Sequence, residues 1–181
     1  MLLYNISQLL TLAGSPQRGD ALGTLGILED GAVLIEDDTI VAVGPSDELC
    51  AIYDQKDRLD ALDKVVMPGL VDPHTHAVWA GDRAAEFEMR VEGKTYLEIM
   101  QAGGGIVSTV RDTRAASLNQ LVARARPRLQ RMLSLGTTSV EVKSGYGLDT
   151  QTELKLLEAI LKLDKESPLD LVPTFLGAHA V

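Results

Sequence analysis

The stretch Met67-Pro68-Gly69-Leu70-Val71-Asp72-Pro73-His74-Thr75-His76 decides how this chain is interpreted, because it ends an apolar segment on two histidines. Side chains at positions i and i+2 of a strand project from the same face, so His74 and His76 would converge on one point. Imidazole nitrogen is a common ligand of zinc and iron. The pair therefore predicts half of a four-ligand metal site at the end of a strand.

The alternative is that both are ordinary strand histidines, packed in a core or facing solvent. Two observations favour ligands: the chain has 3 histidines, and two of them stand here, directly after an apolar run and a Pro-Gly pair. Parallel barrels of alternating strands and helices carry their chemistry at the C-terminal ends of the strands. A strand that ends in metal ligands is typical of that architecture.

Composition excludes several classes of function. The chain has 181 residues, 45% of them hydrophobic, which is enough for a real core. Its net charge of -9 argues against nucleic-acid or anionic-membrane binding, because those surfaces attract clustered Lys and Arg. The single cysteine, Cys50, excludes an internal disulfide framework and fits a reducing compartment. No apolar run approaches the roughly 18 residues of a membrane span, and the first residues lack a secretory pattern, so we expect a cytoplasmic protein.

Residues 1–65 are interpreted as a small antiparallel β unit. A first strand is predicted from Leu2 to about Leu12, followed by a loop. Two β-rich runs, 32–36 and 39–43, flank Asp37-Asp38 and predict a hairpin. Ser46 is predicted to cap the short helix that follows.

From residue 65 onward the pattern becomes strand, loop, helix, repeated. The predicted strands are 66–76, 137–143 and 169–176. Parallel strands joined by helices of this length connect with right-handed crossovers, so all three strand ends should lie on one face. We therefore expect His74, His76, Tyr146 and His179 to share that face.

Polar residues mark where the helices begin. Three pairs have the spacing of a capping box, in which two side chains bond each other's backbone: Thr95 with Glu98, Ser117 with Gln120, and Thr150 with Glu153. The run Gly103-Gly104-Gly105 is interpreted as a break between two helices rather than a phosphate loop, because it follows no strand and no Gly-Lys-Ser or Gly-Lys-Thr follows it.

Beyond these patterns, the chain resembles the imidazolonepropionases, a family of the amidohydrolase superfamily. The segments that carry the resemblance are Pro68–His76, Gly81–Arg83, Glu86–Phe87 with Arg90, Tyr96–Ile99, Gly103–Ile106, Glu141–Leu148 and Thr174–Ala180. The resemblance covers residues 65 to 181 closely and the preceding β unit more loosely. Several separate motifs in the right order make coincidence improbable.

The resemblance implies an α/β fold whose main part is a partial (β/α)8 TIM-type barrel. Residues 66–181 would hold its first three strand–helix repeats, and residues 1–65 would be the N-terminal portion of a composite β-sandwich. A complete barrel takes about 250 residues. We therefore expect the chain to be the N-terminal part of a longer enzyme, with a third metal-binding histidine, an aspartate ligand, the general base and the rest of the sandwich beyond Val181. The complete protein is expected to be a homodimer.

The resemblance also implies a reaction. His74 and His76 would be ligands of one zinc or iron ion, and metal-bound hydroxide would attack the ring carbonyl of 4-imidazolone-5-propanoate. The product, N-formimidoyl-L-glutamate, belongs to histidine degradation. The 181-residue chain alone is expected to bind metal weakly and to be inactive, because two ligands leave the ion mostly hydrated.

Three further residues match substrate positions of the family. Arg83 would hold the propionate through its planar guanidinium, although a surface ion pair with Glu86 or Glu88 is the alternative. Tyr146 and His179 would orient the ring and stabilise developing charge.

Some interpretations stay open at this point. Tyr96 matches a substrate position less securely and could equally be a helix residue packed by its ring. Lys143 is interpreted as part of a structural ion pair rather than as a carbamylated metal bridge. The rival functions are another cyclic-amide amidohydrolase, which Arg83 and the Tyr146 turn would discriminate, and a non-catalytic scaffold that has kept the fold.

Overall fold

Aliphatic residues in the first part of the chain build a five-stranded sheet. The structure is a computed structural model that describes residues 1–14 and 16–180. It divides into two compact units, Met1–Pro68 and Gly69–Val181. The strands of the first unit are β1 (Leu2–Leu10), β2 (Ile27–Glu36), β3 (Thr39–Pro45), β4 (Arg58–Asp60) and β5 (Val65–Val66). Its helices are a 3-10 turn at Gly19–Ala21 and α1 (Ser46–Ile52).

The first sheet is mixed rather than antiparallel. Strands β1, β2 and β3 pair antiparallel, as the hairpin pattern predicts, but β4 and β5 both run parallel to β1. The purely antiparallel interpretation is wrong because α1 lies between β3 and β4 and returns the chain in the direction of β1. The core of this unit includes Leu2, Ile6, Leu34 and Leu49.

Ser46 does not cap α1. Its hydroxyl donates to the carbonyl of Gly31 at 2.7 Å and accepts from the backbone N–H of Asn5 at 3.0 Å, so it ties β1 to β2. Pro45 occupies the N-cap position without a side-chain bond. The hydroxyl of Ser46, which the sequence predicted to cap α1, thus forms a hydrogen bond with the buried carbonyl of Gly31 instead.

The second unit alternates strands and helices. Its strands are β6 (Leu70–Thr75), β7 (Thr137–Lys143) and β8 (Asp170–Thr174), all parallel in the order β6-β7-β8. Its helices are α2 (Ala84–Val91), α3 (Tyr96–Gln101), α4 (Ile106–Ala115), α5 (Leu118–Ser134) and α6 (Thr150–Glu166). The two long helices pack on the sheet through buried aliphatic residues: Leu121, Ala125, Leu129, Leu156, Ile160 and Leu163 with Val140 and Val142.

The first strand of this sheet is shorter than the sequence predicts. Val65–Val66 pairs with β1 of the first unit, and β6 starts only at Leu70. Pro68 interrupts the run because it has no N–H to donate. A side chain at Gly69 would overlap that of Thr138, so only glycine fits at this position.

The predicted capping boxes are confirmed in two of three cases. Capping boxes form at Thr95 with Glu98 and at Ser117 with Gln120. The glycine run separates α3 from α4, as predicted. Among the helices within residues 1–14 and 16–180, none has the length and the hydropathy that a bilayer crossing requires.

Candidate active site

His74 and His76 lie at the C-terminal end of β6, with ring centroids 6.0 Å apart. Between them, the hydroxyl of Thr75 donates to the backbone carbonyl of Glu141 at 2.8 Å and so ties this end of β6 to β7. His74 is exposed and His76 is half-buried. Strand geometry thus places the two imidazoles on one side, as the His-x-His spacing predicts.

Tyr146 and His179 join this pair from the ends of β7 and β8. The His179 ring stacks on that of His76 at a centroid distance of 4.4 Å, with an interplanar angle of 11°. The Tyr146 ring lies 4.9 Å from His76 and 5.3 Å from His179. The four residues that the sequence expects at one face therefore form one cluster, called the His–Tyr cluster below.

His76 combines a lowered imidazole pKa with a buried ring nitrogen. Burial lowers the pKa of its imidazole, and the neighbouring His179 and His74 lower it further. Its Nδ1 is buried and has no hydrogen-bond partner within residues 1–14 and 16–180. An unpartnered buried polar atom is rare in proteins, and neutral imidazole is the form that binds metal. This observation fits a metal ligand.

The cluster is not a complete metal site. No group of three or more His, Cys, Asp or Glu side chains is arranged to hold an ion in the part of the chain that the structure describes. His74 and His76 together supply two donors. Structural and catalytic zinc sites take three or four protein ligands, so further donors would have to come from elsewhere.

Arg83 precedes α2 and lies in a separate set of contacts. Its Nε donates to the hydroxyl of Thr109 at 3.1 Å and stands 3.8 Å from the Glu86 carboxylate. The side chain is 39% exposed and lines a surface cavity of about 220 Å³ with Glu86, Phe87 and Arg90. Within the described residues, its polar partners are on α2 and α4, so the structure does not join it to the His–Tyr cluster.

The structure also shows the surroundings of Tyr96 and Lys143, whose interpretation the sequence left open. Tyr96 opens α3 and is 58% exposed. Lys143 forms the structural ion pair that was predicted, with its Nζ 2.6 Å from Glu141. Glu141 also accepts from the hydroxyl of Thr174 at 2.7 Å, and the bonds from Lys143 and then Thr174 lower the pKa of its carboxyl.

Glu153 is the residue that sequence reasoning missed. Its predicted capping box with Thr150 is wrong: Asp149 caps α6 by accepting from the N–H of Thr152 at 2.7 Å. Glu153 instead turns toward the loop before the helix and accepts from the backbone N–H groups of Gly145, Gly147 and Leu148 at 2.8, 2.7 and 2.8 Å. The sequence does carry a clue, because a buried Gly-Tyr-Gly turn needs an acceptor for its N–H groups.

Comparison with known proteins shows which sequences this chain resembles. The family model described as imidazolonepropionase-like composite domain, bacteria, matches residues 31–55. Imidazolonepropionase from Chloroflexus aggregans is 54% identical over 183 residues, which cover 100% of this chain and 43% of the relative. That from Herpetosiphon aurantiacus is 52% identical over 180 residues, covering 99% of this chain and 42% of the relative. The chain thus spans less than half the length of these curated relatives.

Solved structures support the fold. Guanine deaminase from E. coli superimposes with a TM-score of 0.64 at 15% identity, covering 95% of this chain and 36% of that protein. A triazine hydrolase from Arthrobacter aurescens gives a TM-score of 0.58 at 16% identity, covering 96% of this chain and 35% of that protein. At such identities the match establishes architecture alone. The sequence identities of 52–54% are sustained over the whole chain, so the chain is similar throughout to part of the curated imidazolonepropionases.

Proposed function

We propose that this chain is part of a metal-dependent enzyme that hydrolyses 4-imidazolone-5-propanoate to N-formimidoyl-L-glutamate in histidine degradation. Water adds to the ring carbonyl and the adjacent C–N bond breaks, leaving a carboxylate and a formimidoyl nitrogen. The observation that carries the proposal is the His–Tyr cluster, which gathers every histidine of the chain at the ends of three parallel strands. Its support is the identity to curated imidazolonepropionases.

His74 and His76 are the proposed metal ligands within this chain. When bound, a zinc or iron ion supplies a nucleophile at neutral pH by lowering the pKa of water. The unpartnered Nδ1 and the lowered pKa of His76 support a ligand role, since both keep the imidazole ready to donate a lone pair. A variant of atrazine chlorohydrolase from Arthrobacter aurescens was solved with zinc and atraton, and its TM-score to this chain is 0.50 at 18% identity.

Tyr146 and His179 are the proposed contacts to the substrate ring. Their rings pack beside His76, so a ring held over the metal ligands would meet a phenol hydroxyl and an imidazole. A hydroxyl and an imidazole can donate hydrogen bonds to the oxygen that gains charge as the carbonyl is attacked.

Arg83 is the proposed partner of the substrate's propionate. Its guanidinium lines a cavity together with Arg90, which would add a second positive charge for a carboxylate. Glu86 competes for the same guanidinium at 3.8 Å, and Thr109 holds its Nε in place. Within residues 1–14 and 16–180 the other two guanidinium nitrogens have no hydrogen-bond partner, and they could take a carboxylate bidentately.

The architecture that goes with this function is a barrel with a companion sheet. We propose that residues 66–181 contain the first three strand–helix repeats of a (β/α)8 barrel and that residues 1–65 belong to a β-sandwich. The general base and further metal ligands would come from the rest of a longer polypeptide, consistent with the 43% span of the relatives. A homodimer is the proposed assembly.

The test is turnover by the full-length protein that carries this chain, loaded with zinc or iron, beside its Arg83→Ala variant. Formation of N-formimidoyl-L-glutamate, with kcat/KM reduced about 100-fold or more in the variant, would support both the reaction and the propionate contact. Bound metal without turnover would favour another cyclic-amide substrate. Loss of both metal and turnover would favour a non-catalytic scaffold.

A further inference from the structure

A short turn at residues 144–149 connects β7 to α6 and carries Tyr146. Three backbone N–H groups of this turn, those of Gly145, Gly147 and Leu148, reach one group, the carboxylate of Glu153. Its Oε2 accepts from Gly145, and its Oε1 accepts from both Gly147 and Leu148. Glu153 is only 1% exposed, so no bulk water can replace these bonds. The backbone on both sides of Tyr146 is therefore fixed by a single side chain.

The same turn also fixes His179. The carbonyl of Gly145 lies 3.1 Å from Nδ1 of the His179 ring, and the hydroxyl of Ser144 accepts from the N–H of Leu176 at 2.9 Å. The N–H of Gly145 is the group that Glu153 holds through Oε2. Glu153 thus binds the backbone of Gly145, which precedes Tyr146 in the chain and contacts the His179 ring through its carbonyl.

We propose that Glu153 is a positioning residue, whose buried carboxylate sets the placement of Tyr146 and His179 beside His76. The proposal rests on the substrate roles given above to Tyr146 and His179. Among the described residues, the Glu153 carboxylate bonds to the backbone of the turn and not to His74 or His76, so its effect would reach the reaction only through the turn. An interaction of this kind should change how well the substrate is oriented without changing how metal is held.

Arg114 braces the turn from its outer side. Its Nε donates to the carbonyl of Gly147 at 2.7 Å and pairs with the Asp149 carboxylate at 2.9 Å. Nearly half of the Arg114 side chain is exposed, so solvent screens this brace more than it screens the buried carboxylate. Arg114 should therefore contribute in the same direction as Glu153 but less.

The first experiment compares Glu153→Gln with Glu158→Gln in the full-length protein. Glutamine keeps the shape of Glu153 but places an amide N–H₂ opposite at least one backbone N–H, so one acceptor is lost. We expect kcat/KM to fall about 10- to 100-fold in E153Q, with metal content unchanged, because misplacement by about 1 Å has effects of that size. Glu158 is an exposed glutamate of the same helix, and E158Q should match the wild type. Equal kinetics for E153Q and E158Q would overturn the proposal.

A double-mutant cycle separates positioning from general stability. If Glu153 acts through Tyr146, the losses in kcat/KM from Glu153→Gln and Tyr146→Phe should not multiply in the double variant. The reason is that Tyr146→Phe removes the hydroxyl that Glu153→Gln would displace. Losses that multiply would show that Glu153 only stabilises the fold. If E153Q does not fold, Arg114→Gln takes its place in the cycle, with an expected single-variant loss of a few-fold.

A readout that does not depend on activity separates this proposal from the proposed function. In ¹⁵N-glycine-labelled full-length protein, the amide resonances of Gly145 and Gly147 should move or broaden in E153Q and stay in place in E158Q. Absence of imidazolonepropionate turnover in the wild type would defeat the proposed function, and the glycine resonances would still decide the role of Glu153. Unmoved resonances in E153Q would overturn that role whatever the activity.

Discussion

The imidazole rings of His76 and His179 stack at 4.4 Å. Gly145, between β7 and α6, lies close to His179 at the end of β8. It has a φ of +116°, and a Cβ added there would lie 2.8 Å from Cβ of His179 and 3.0 Å from the carbonyl oxygen of Leu176. At this residue, both the backbone conformation and the space require glycine.

Gly145→Ala should therefore displace His179. We expect kcat/KM of the full-length protein to fall about 10-fold or more, and the free energy of unfolding to fall by about 2–4 kcal/mol, from the strained φ together with the steric overlap. Gly93→Ala is the matched control, because Gly93 also has a positive φ, +86°, but nothing lies within 4 Å of its Cβ position. Urea unfolding of both variants measures the difference, and equal losses would contradict the close-approach argument.

Metal content should distinguish the proposed ligands, His74 and His76, from the neighbouring His179. We expect His74→Asn and His76→Asn to lower the bound zinc or iron of the full-length protein at least 10-fold, because each removes a donor. His179→Asn should retain the metal, since its proposed role is contact with the substrate. Metal analysis by mass spectrometry after extensive dialysis provides the measurement. Retention of metal in His76→Asn would exclude that residue as a ligand.

At the scale of elements, α6 links the sheet to the site. One face of the helix packs against β7 and α5, and its first turn, capped by Asp149, supplies Glu153 to the loop that carries Tyr146. The start of this helix was predicted from the sequence, whereas the direction of the Glu153 side chain was not. The same helix thus stabilises the core and orders the candidate site.

The packing of α6 can be tested with two leucines of the same helix. Leu156 is fully buried and Leu154 is 58% exposed. We expect Leu156→Ala to lower the free energy of unfolding by about 2–5 kcal/mol, because it leaves a cavity between helix and sheet. Leu154→Ala should change it by less than about 0.5 kcal/mol. Chemical denaturation followed by circular dichroism measures both, and similar losses would mean that the helix packs on another face.

The cap of α6 should make stability depend on pH. The N–H of Thr152 lowers the pKa of the Asp149 carboxyl, and the hydroxyl of Thr152 and the charge of Arg114 add to the effect. A carboxyl whose pKa is lowered by folding stabilises the folded state above its unfolded pKa and loses that contribution as pH falls through the folded value. Asp149→Ala should thus be less stable than the wild type at pH 7, and the difference should shrink below about pH 4. A difference that does not vary between pH 7 and pH 3 would contradict this.

At the scale of the whole molecule, apolar side chains lie exposed on the outer strands of the second sheet. Val71 on β6 and Val172 on β8 are both more than half exposed, and so is Phe175, which follows β8. Within the described residues, β6 and β8 are edges of a three-stranded sheet. Exposed edges with apolar side chains favour association with another chain.

The isolated 181-residue chain should therefore self-associate and be inactive. We expect light scattering to show species larger than a monomer at micromolar concentration, and equilibrium dialysis to show weak zinc binding, because two histidines leave most of the coordination shell to water. Val71→Lys with Val172→Lys should reduce the association by charging the edges. A monomer that holds one zinc ion tightly would contradict the proposal that the site is completed by further chain.

Much of the architecture could be predicted from local pattern. The β7 strand, the hairpin of β2 and β3, the capping boxes at Thr95 and Ser117 and the parallel order of three strands all follow from periodicity, turn residues and connection rules. The predicted start of β6 was wrong because an apolar run does not indicate which sheet it joins. Val65–Val66 pairs with β1 of the first sheet.

The amino-acid sequence by itself determined the alternation of strands and helices and the placement of all three histidines at strand ends, because these depend on short-range pattern and on the fixed handedness of crossovers. Only the tertiary structure decided that Glu153 binds the Tyr146 turn instead of capping α6, and that Ser46 bonds to Gly31 instead of capping α1. Both choices depend on which backbone groups are left unpaired once the elements pack. Sequence spacing offers each side chain a local partner, whereas burial of a distant donor or acceptor makes the other partner the more favourable one.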